Sequence, residues 1–295
     1  WVKVHFSPPE ACSGGASADS CGGDAAGRVS KITNVTKNIV TTFQYNDSAK
    51  RYTVTTGDTV QTIPYGTDNQ AGTDDDVVVE IQSVNQDTDV IRQELNAQGR
   101  VTKITNVTKN NVTTFAYDDQ AQHYTITSGT TIQTLSYGGD NQPGTNDDVF
   151  LRVRSLSQEG DTVTQELDGS GRVVKITNIT RNTMTTFAYD DGAKRYTVTS
   201  GSTIQTLSYG ADNQAGTSDD GLLKVQVVNQ NGETIIQDFD SNGRVTKITN
   251  ATKNEMTAFT YNDSTKQCTI PSGTTIQTLS YGPDNHAGTG EDAWL

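Results

Sequence analysis

The sequence repeats itself every 72 residues. The tripeptide Gly-Arg-Val occurs at 27–29 and returns at 99–101, 171–173 and 243–245. Similar text follows each copy: Lys-Ile-Thr-Asn-x-Thr, then Thr-x-Phe, a Tyr followed by Asn or Asp, and Gly-x-Asp-Asn-x-x-Gly-Thr. Units of one supersecondary type bury their apolar faces against their neighbours and build long surfaces instead of one pocket. The repeat therefore favours structural and binding functions over catalysis.

The repeat also sets the expected domain organisation and overrides the prior of about two domains that length alone would give. Residues 1–26 depart from the repeat and are interpreted as one strand followed by an insertion that bears cysteines. The four predicted repeats are 27–98, 99–170, 171–242 and 243–295, the last of which ends within a strand.

The composition predicts an all-β fold with a thin core. Only 32% of the residues are hydrophobic, and the abundant Thr, Val, Ile and Tyr suit a pleated, half-wet surface. The strands expected in the second repeat are 101–106, 112–117, 124–127, 132–137, 150–156 and 163–167. The turn-forming segments between them are too short for helical crossovers. We therefore expect an elongated array of four repeats, each with about three antiparallel β-hairpins.

Two segments resemble the motif of a known family. Residues 167–173 (Leu-Asp-Gly-Ser-Gly-Arg-Val) and 239–245 (Phe-Asp-Ser-Asn-Gly-Arg-Val) resemble the Tyr-Asp-x-x-Gly-Arg core of the YD-repeat (Rhs/teneurin-like) family, with Leu or Phe in the Tyr place. Residues 189–195 look like a looser copy, and Tyr209-Gly210 begins a third that carries an inserted acidic loop. The resemblance implies an extracellular β-hairpin scaffold, either a rod of stacked hairpins or a segment of a YD-repeat shell.

One acidic loop recurs in each repeat, at 68–76, 140–148, 212–220 and 284–292. Each loop has three recurring carboxylates, and these twelve account for nearly all of the net charge of −13. Calcium, which takes six to eight oxygen ligands, is the cation that such loops suit. The alternative is plain turn chemistry, in which Asp and Asn bind their own backbone. The predicted metal ligands are Asp68, Asn69, Asp75, Asp76, Asp140, Asn141, Asp147, Asp148, Asp212, Asn213, Asp219, Asp220, Asp284, Asn285, Glu291 and Asp292.

An Asn-x-Thr sequon stands at the same place in every repeat and predicts surface turns that can carry glycan in a secreted protein. The alternative is chance, because copying one unit copies its accidents. The asparagines concerned are Asn34, Asn106, Asn178 and Asn250.

Two of the three cysteines, Cys12 and Cys21, lie in the insertion that breaks the repeat. A local disulfide between them would indicate an oxidising compartment; the alternative is two unpaired thiols in a loop. The third, Cys268, stands where the other repeats have Tyr52, Tyr124 and Tyr196.

Several functional classes are disfavoured by the sequence. The three histidines occupy three different places in the repeat, and no nucleophile, zinc or phosphate-loop spacing is found, so we do not expect an enzyme. The acidic charge opposes nucleic-acid binding. The sequence also contains no run of about 20 apolar residues, the length that a membrane-spanning helix needs. We expect an extracellular or cell-surface location.

The two ends of the sequence share one position of the repeat. Trp294 corresponds to Phe150, and the residues from Trp1 align with those from Phe150 once the insertion is allowed for. This phase predicts an assembly in which the first strand of one copy completes the last strand of the next, head-to-tail. The alternative is a segment of a longer chain. The predicted assembly residues are Trp1, Val2, Val4, Phe6, Trp294 and Leu295.

These patterns together predict a structural subunit of an extracellular fibre or filament whose partners are copies of itself. The alternatives are a calcium-dependent adhesin or a carbohydrate-binding stalk. Aromatic side chains packed between hairpins would favour the fibre, and exposed ones the binding module.

Overall fold

The computed structural model of the chain describes residues 19–272, 274–282 and 293–294. Within them the chain forms 25 β-strands and no helix. The all-β class expected from the sequence is therefore confirmed. The described part of the chain also contains no helix long and apolar enough to span a membrane.

The chain divides into two compact units, residues 1–149 and 150–295, which are described separately. The strands of unit 1 are β1 (Asp19–Gly23), β2 (Val29–Asn34), β3 (Ile39–Asn46), β4 (Arg51–Thr56), β5 (Thr59–Pro64), β6 (Glu80–Val84), β7 (Val90–Leu95), β8 (Val101–Asn106), β9 (Asn111–Asp118), β10 (His123–Ser128) and β11 (Thr131–Ser136). Each pairs antiparallel with the next along the chain, so the unit is one meander of hairpins.

Unit 2 is built in the same way. Its strands are β12 (Phe150–Leu156), β13 (Thr162–Leu167), β14 (Val173–Asn178), β15 (Thr183–Asp190), β16 (Arg195–Ser200), β17 (Thr203–Ser208), β18 (Leu222–Val228), β19 (Thr234–Phe239), β20 (Val245–Asn250), β21 (Glu255–Ala258), β22 (Thr260–Asn262), β23 (Gln267–Ser272), β24 (Thr275–Ser280) and β25 (Ala293–Trp294). Strands β12 to β21 form one antiparallel meander, and β22 to β25 form a second.

The strands follow the 72-residue period of the sequence. Strands β2, β8, β14 and β20 begin 72 residues apart, and β3, β9, β15 and β21 do the same. All six strands expected in the second repeat are present with bounds within one residue of those predicted. Tyr137, which we placed in the fourth of them, lies just after β11.

Each sheet has two different faces, because side chains alternate along a strand and directly paired residues share a face. In unit 1, one face carries the paired Tyr45, Tyr52 and Ile63, and we call it the aromatic face. The opposite face carries the paired Gln44, Thr53 and Thr62, and we call it the threonine face. The same alternation gives unit 2 an aromatic face and a threonine face.

The core lies on the aromatic face. In the first repeat the buried residues are Phe43, Tyr52, Val54, Ile63 and Tyr65. Ala71, from the acidic loop, and Val78, just after it, pack against this cluster, so this segment covers the face of a single-layered sheet. Such a cover removes apolar surface from water that a lone sheet would leave exposed. Two sets of aromatic residues that recur in the repeat were expected to pack between hairpins. Tyr65, Tyr137, Tyr209 and Tyr281 are each at most 8% exposed, whereas of the phenylalanines Phe43 is buried and Phe115, Phe187 and Phe259 are half-buried.

Candidate functional site

The most regular cluster of polar and aromatic side chains is built around three tyrosines in each of the first three repeats; in the fourth, Cys268 takes the place of the middle tyrosine. Tyr45 and Tyr52 are directly paired on β3 and β4, with ring centroids 5.6 Å apart, and Tyr65 follows β5 with its ring 6.1 Å from that of Tyr52. These separations are typical of stabilising aromatic pairs. The corresponding ladders are Tyr117, Tyr124 and Tyr137, and Tyr189, Tyr196 and Tyr209.

The ladder hydroxyls all point to acceptors within the fold. Tyr45 donates to the carbonyl of Val29 at 2.8 Å, and Tyr65 donates to Asp47 at 2.7 Å. The middle ring binds the acidic loop, as shown by Tyr124, which donates to Asp148 Oδ2 at 2.8 Å. Burial raises the pKa of Tyr137 to about 12, so the ladder is neutral at physiological pH.

One arginine of each repeat lies over the first tyrosine ring and binds the carboxylate two residues after that tyrosine; in three of the four repeats it binds a second carboxylate as well. The Arg28 guanidinium lies 4.1 Å from the Tyr45 ring centroid and binds both Asp24 and Asp47. The hydrogen bonds that Arg28 and Tyr65 donate lower the pKa of Asp47 to about 2. Arg100, Arg172 and Arg244 occupy the same place over Tyr117, Tyr189 and Tyr261. We call this group the arginine clip.

The Asp-x-x-Gly-Arg motif is the hairpin turn that holds the clip. Asp168 Oδ1 accepts the backbone N–H groups of Ser170 and Arg172, and its Oδ2 accepts Arg172 Nε at 2.9 Å. Gly171 has a φ of 78°, in the left-handed region that favours glycine. One aspartate therefore fixes both the turn and the arginine side chain that follows it.

The second repeat has Asn96 in place of this aspartate. Asn96 keeps the turn, since its Oδ1 accepts the Arg100 N–H at 2.9 Å. Its Nδ2 is a donor and cannot accept Arg100 Nε. Arg100 Nε is accordingly a buried side-chain nitrogen without a hydrogen-bond partner.

Two carboxylates organise each described acidic loop. Asp76 accepts backbone N–H groups from Gly66 and Gly72, both at 2.6 Å. Asp75 accepts the Thr67 N–H and, through its other oxygen, the Thr73 hydroxyl at 2.8 Å. The corresponding carboxylates are Asp147 and Asp148 in the second loop and Asp219 and Asp220 in the third.

The remaining predicted ligands of these loops also serve the turn. Asp140 Oδ1 accepts the Gln142 N–H at 2.8 Å, and Asp68 and Asp212 do the same for their neighbours. Asn69, Asn141 and Asn213 have left-handed φ values of 60°, 57° and 58°. In the described part of the chain, no three His, Cys, Asp or Glu side chains are grouped so that they could hold a metal ion. Calcium binding stays a prediction, and Asp284, Asn285, Glu291 and Asp292 lie outside the described residues.

The sequon side chains bind the neighbouring hairpin. Asn106 Oδ1 accepts the Lys109 N–H at 2.9 Å, while its Nδ2, the atom to which a glycan would be attached, donates to buried Asp89 at 2.8 Å. Thr108 Oγ1 accepts the Val90 N–H at 2.9 Å. Asn178 and Asn250 have the corresponding partners Asp161 and Glu233, and Asn34 accepts the Lys37 N–H. The sequon thus recurs with a structural use, and glycosylation stays a prediction.

The other predicted sites are only partly within the described residues. Cys21 is disulfide-bonded, whereas its predicted partner Cys12 lies outside them. Cys268 is a buried thiol opposite Tyr261. Trp294 lies on β25, whose backbone pairs with β24. Trp1, Val2, Val4, Phe6 and Leu295 are outside the described residues, so the head-to-tail joint stays a prediction.

Sequence reasoning missed the arginine clip. The residue directly after each tyrosine stands out in the sequence because it is often Asn or Asp. In the structure this residue, for example Asp118, only caps its turn by accepting the Ala121 N–H. The clip uses the next residue along, an aspartate in all four repeats: Asp47, Asp119, Asp191 and Asp263. That invariance within the chain was the available signal.

No protein-family model and no curated protein match the chain. Among solved structures, the chain is similar to a porin-like protein from Bacteroides uniformis, with 11% sequence identity and a TM-score of 0.19. The match covers 77% of this chain and 92% of that protein.

Proposed function

We propose that this chain is a structural protein, a subunit of an extracellular fibre or filament. The observation that carries the proposal is the use of the recurring polar side chains. The arginines, aspartates and tyrosines that could do chemistry bind one another across neighbouring hairpins, in copy after copy. A repeat whose potentially reactive side chains are engaged in contacts within the fold is typical of a structural scaffold.

Two further features support an extracellular role. The disulfide at Cys21 is typical of an oxidising compartment. The resemblance of residues 167–173 to YD repeats agrees with a hairpin scaffold displayed outside the cell. Calcium and glycan remain optional additions to this scaffold, not conditions of it.

Negative-stain microscopy of the purified chain tests the proposal. We expect filaments whose number grows with protein concentration. The control is unfolded chain, diluted from denaturant directly onto the grid so that it has no time to refold, and it should give only amorphous material. Single particles of one chain at every concentration, with the fold intact by circular dichroism, would contradict a fibre subunit.

A further inference from the structure

The threonine face of unit 2 carries more cations than anions. Cross-strand pairing places Arg152, Glu166 and Lys175 in one row and Lys224, Asp238 and Lys247 in another. Arg154 and the Asp190–Arg195 pair lie on the same face. Strands β12 to β20 thus present six cations and three carboxylates on this face, a surplus of three positive charges.

The surplus is carried by exposed side chains with weak or no partners. Glu166 is 3.2 Å from Lys175 but 3.9 Å from Arg152, and Asp238 is 2.8 Å from Lys247 but 3.6 Å from Lys224. The Arg152 and Lys224 side chains are 58% and 49% exposed. Arg154 is exposed and forms no ion pair within the described residues. These three cations are available to an outside partner.

This face also has a concave region. An open depression on unit 2 is lined by residues that include Arg195 and Lys224, the carboxylates Asp190 and Asp238 that pair with them, and Thr197 and Thr206. A projecting loop fits such a shape better than a flat surface does.

The chain itself carries projecting loops of the opposite charge. The loops at 66–79 and 138–149 of unit 1 contain seven carboxylates and no Lys, Arg or His. They lie on the aromatic face, where Tyr124 holds Asp148. Asp147, for example, accepts the Gly139 N–H and the Thr145 hydroxyl, neutral donors that satisfy its oxygens without cancelling its charge.

We propose that the threonine face of unit 2 binds the acidic loops of a second copy of this chain. The two surfaces have opposite charge. The acidic loops recur with the 72-residue period and Arg152 and Lys224 are one period apart, so one contact can be repeated along two neighbouring copies. The contact rests on the proposed function, since it supplies lateral cohesion to a fibre. Because exposed charges are screened over about 10 Å at 0.1 M salt, the association is salt-sensitive.

Sedimentation velocity of the full-length chain at low and high ionic strength tests this contact. We expect association of the wild type at low salt and its loss at high salt. The double variant Arg154→Glu, Lys224→Glu should weaken the association at least tenfold, because it replaces attraction by repulsion on this face. The loop variants Asp74→Lys and Asn146→Lys change the acidic surface and should also weaken the association. These two residues stand at the same position of their loops, where the third loop has Ser218.

The matched control is Lys37→Glu combined with Gln98→Glu and Gln120→Glu, which makes the same change of net charge at exposed turns of unit 1. Circular dichroism checks that each variant is folded. Equal association of the face variant and the control, or a monomeric wild type at every salt concentration, would overturn the proposal. So would a wild type that binds an acidic polysaccharide through these cations but not itself. If filaments form unchanged in the face variant, the fibre function stands and the lateral contact is wrong.

Discussion

The smallest informative difference between the repeats is one atom. Asp24, Asp168 and Asp240 each accept the Nε–H of their arginine, whereas Asn96 places a donor there and leaves Arg100 Nε unpaired. A buried donor without an acceptor costs free energy that a single oxygen would recover. The second repeat therefore contains a correctable defect.

The variant Asn96→Asp should stabilise the chain by about 1 kcal/mol at neutral pH, because it supplies a charged acceptor to a mostly buried arginine. Arg100 is only 15% exposed, so solvent screens little of the gain. The midpoint of urea unfolding, followed by circular dichroism, measures it. The reverse change in the third repeat, Asp168→Asn, is the matched control and should destabilise. A neutral or lowered midpoint for Asn96→Asp would show that the clip does not need this bond.

The tyrosine ladders predict a loss of stability at high pH. Burial raises the pKa of Tyr137, Tyr196 and Tyr209 to about 12, above the value of about 10 for an unfolded chain. The folded state then holds protons that the unfolded state has lost. The ladder contribution is therefore complete below pH of about 10 and is lost as the pH rises towards about 12. Tyrosinate absorbance should rise together with unfolding; ionisation near pH 10 in a chain that stays folded would contradict the ladder.

At the level of strands and loops, the sequence predicted more of the fold than of the sites. Period and turn residues placed six strands of the second repeat within one residue, because each short hairpin is specified locally. Contacts between hairpins were out of reach. The sequence around Asn106 and Thr108 does not show that their side chains hydrogen-bond to Asp89 and to the Val90 N–H, which lie 17 and 18 positions earlier. In the same way, the sequence of the acidic loops shows their carboxylates but not the backbone N–H groups that donate hydrogen bonds to them.

The sequon threonine offers a test of these contacts. Thr180 Oγ1 accepts the Thr162 N–H at 2.9 Å. Thr180→Val leaves that donor without its acceptor and should destabilise unglycosylated protein by about 1 kcal/mol. Thr180→Ser, which keeps the hydroxyl, should retain most of the stability. Chemical unfolding of protein made without glycosylation compares the two; equal losses would mean that the methyl group matters and the hydrogen bond does not.

The acidic loops are expected to hold their shape through hydrogen bonds to Asp148 and its counterparts. Asp148→Ala removes the acceptor of the Gly144 N–H and the Tyr124 hydroxyl, and should cost about 2 kcal/mol. Asn146→Ser, in the same loop, introduces the residue that already occupies this place as Ser218; it is the control and should change little. If the backbone donors alone hold these carboxylates, as in plain turn chemistry, the melting temperature is the same in calcium and in chelator. A melting temperature that falls in chelator would instead support calcium as the partner of these loops.

At the scale of the whole molecule, the 72-residue repeat is the unit within which the stabilising side-chain contacts are made. Each clip, ladder and sequon contact joins residues fewer than 40 positions apart, so a repeat is held by itself and its neighbours. Such a chain loses its structure in steps instead of all at once. A scaffold that yields repeat by repeat can extend under load before it fails.

Single-molecule pulling of the full-length chain tests this most directly. Stretching 72 residues to about 3.5 Å each gives about 250 Å of contour length. We expect successive unfolding steps near this length, with a second repeat that resists less force and that Asn96→Asp strengthens. One step that releases the whole chain, or steps that follow the two compact units and ignore the repeats, would contradict it.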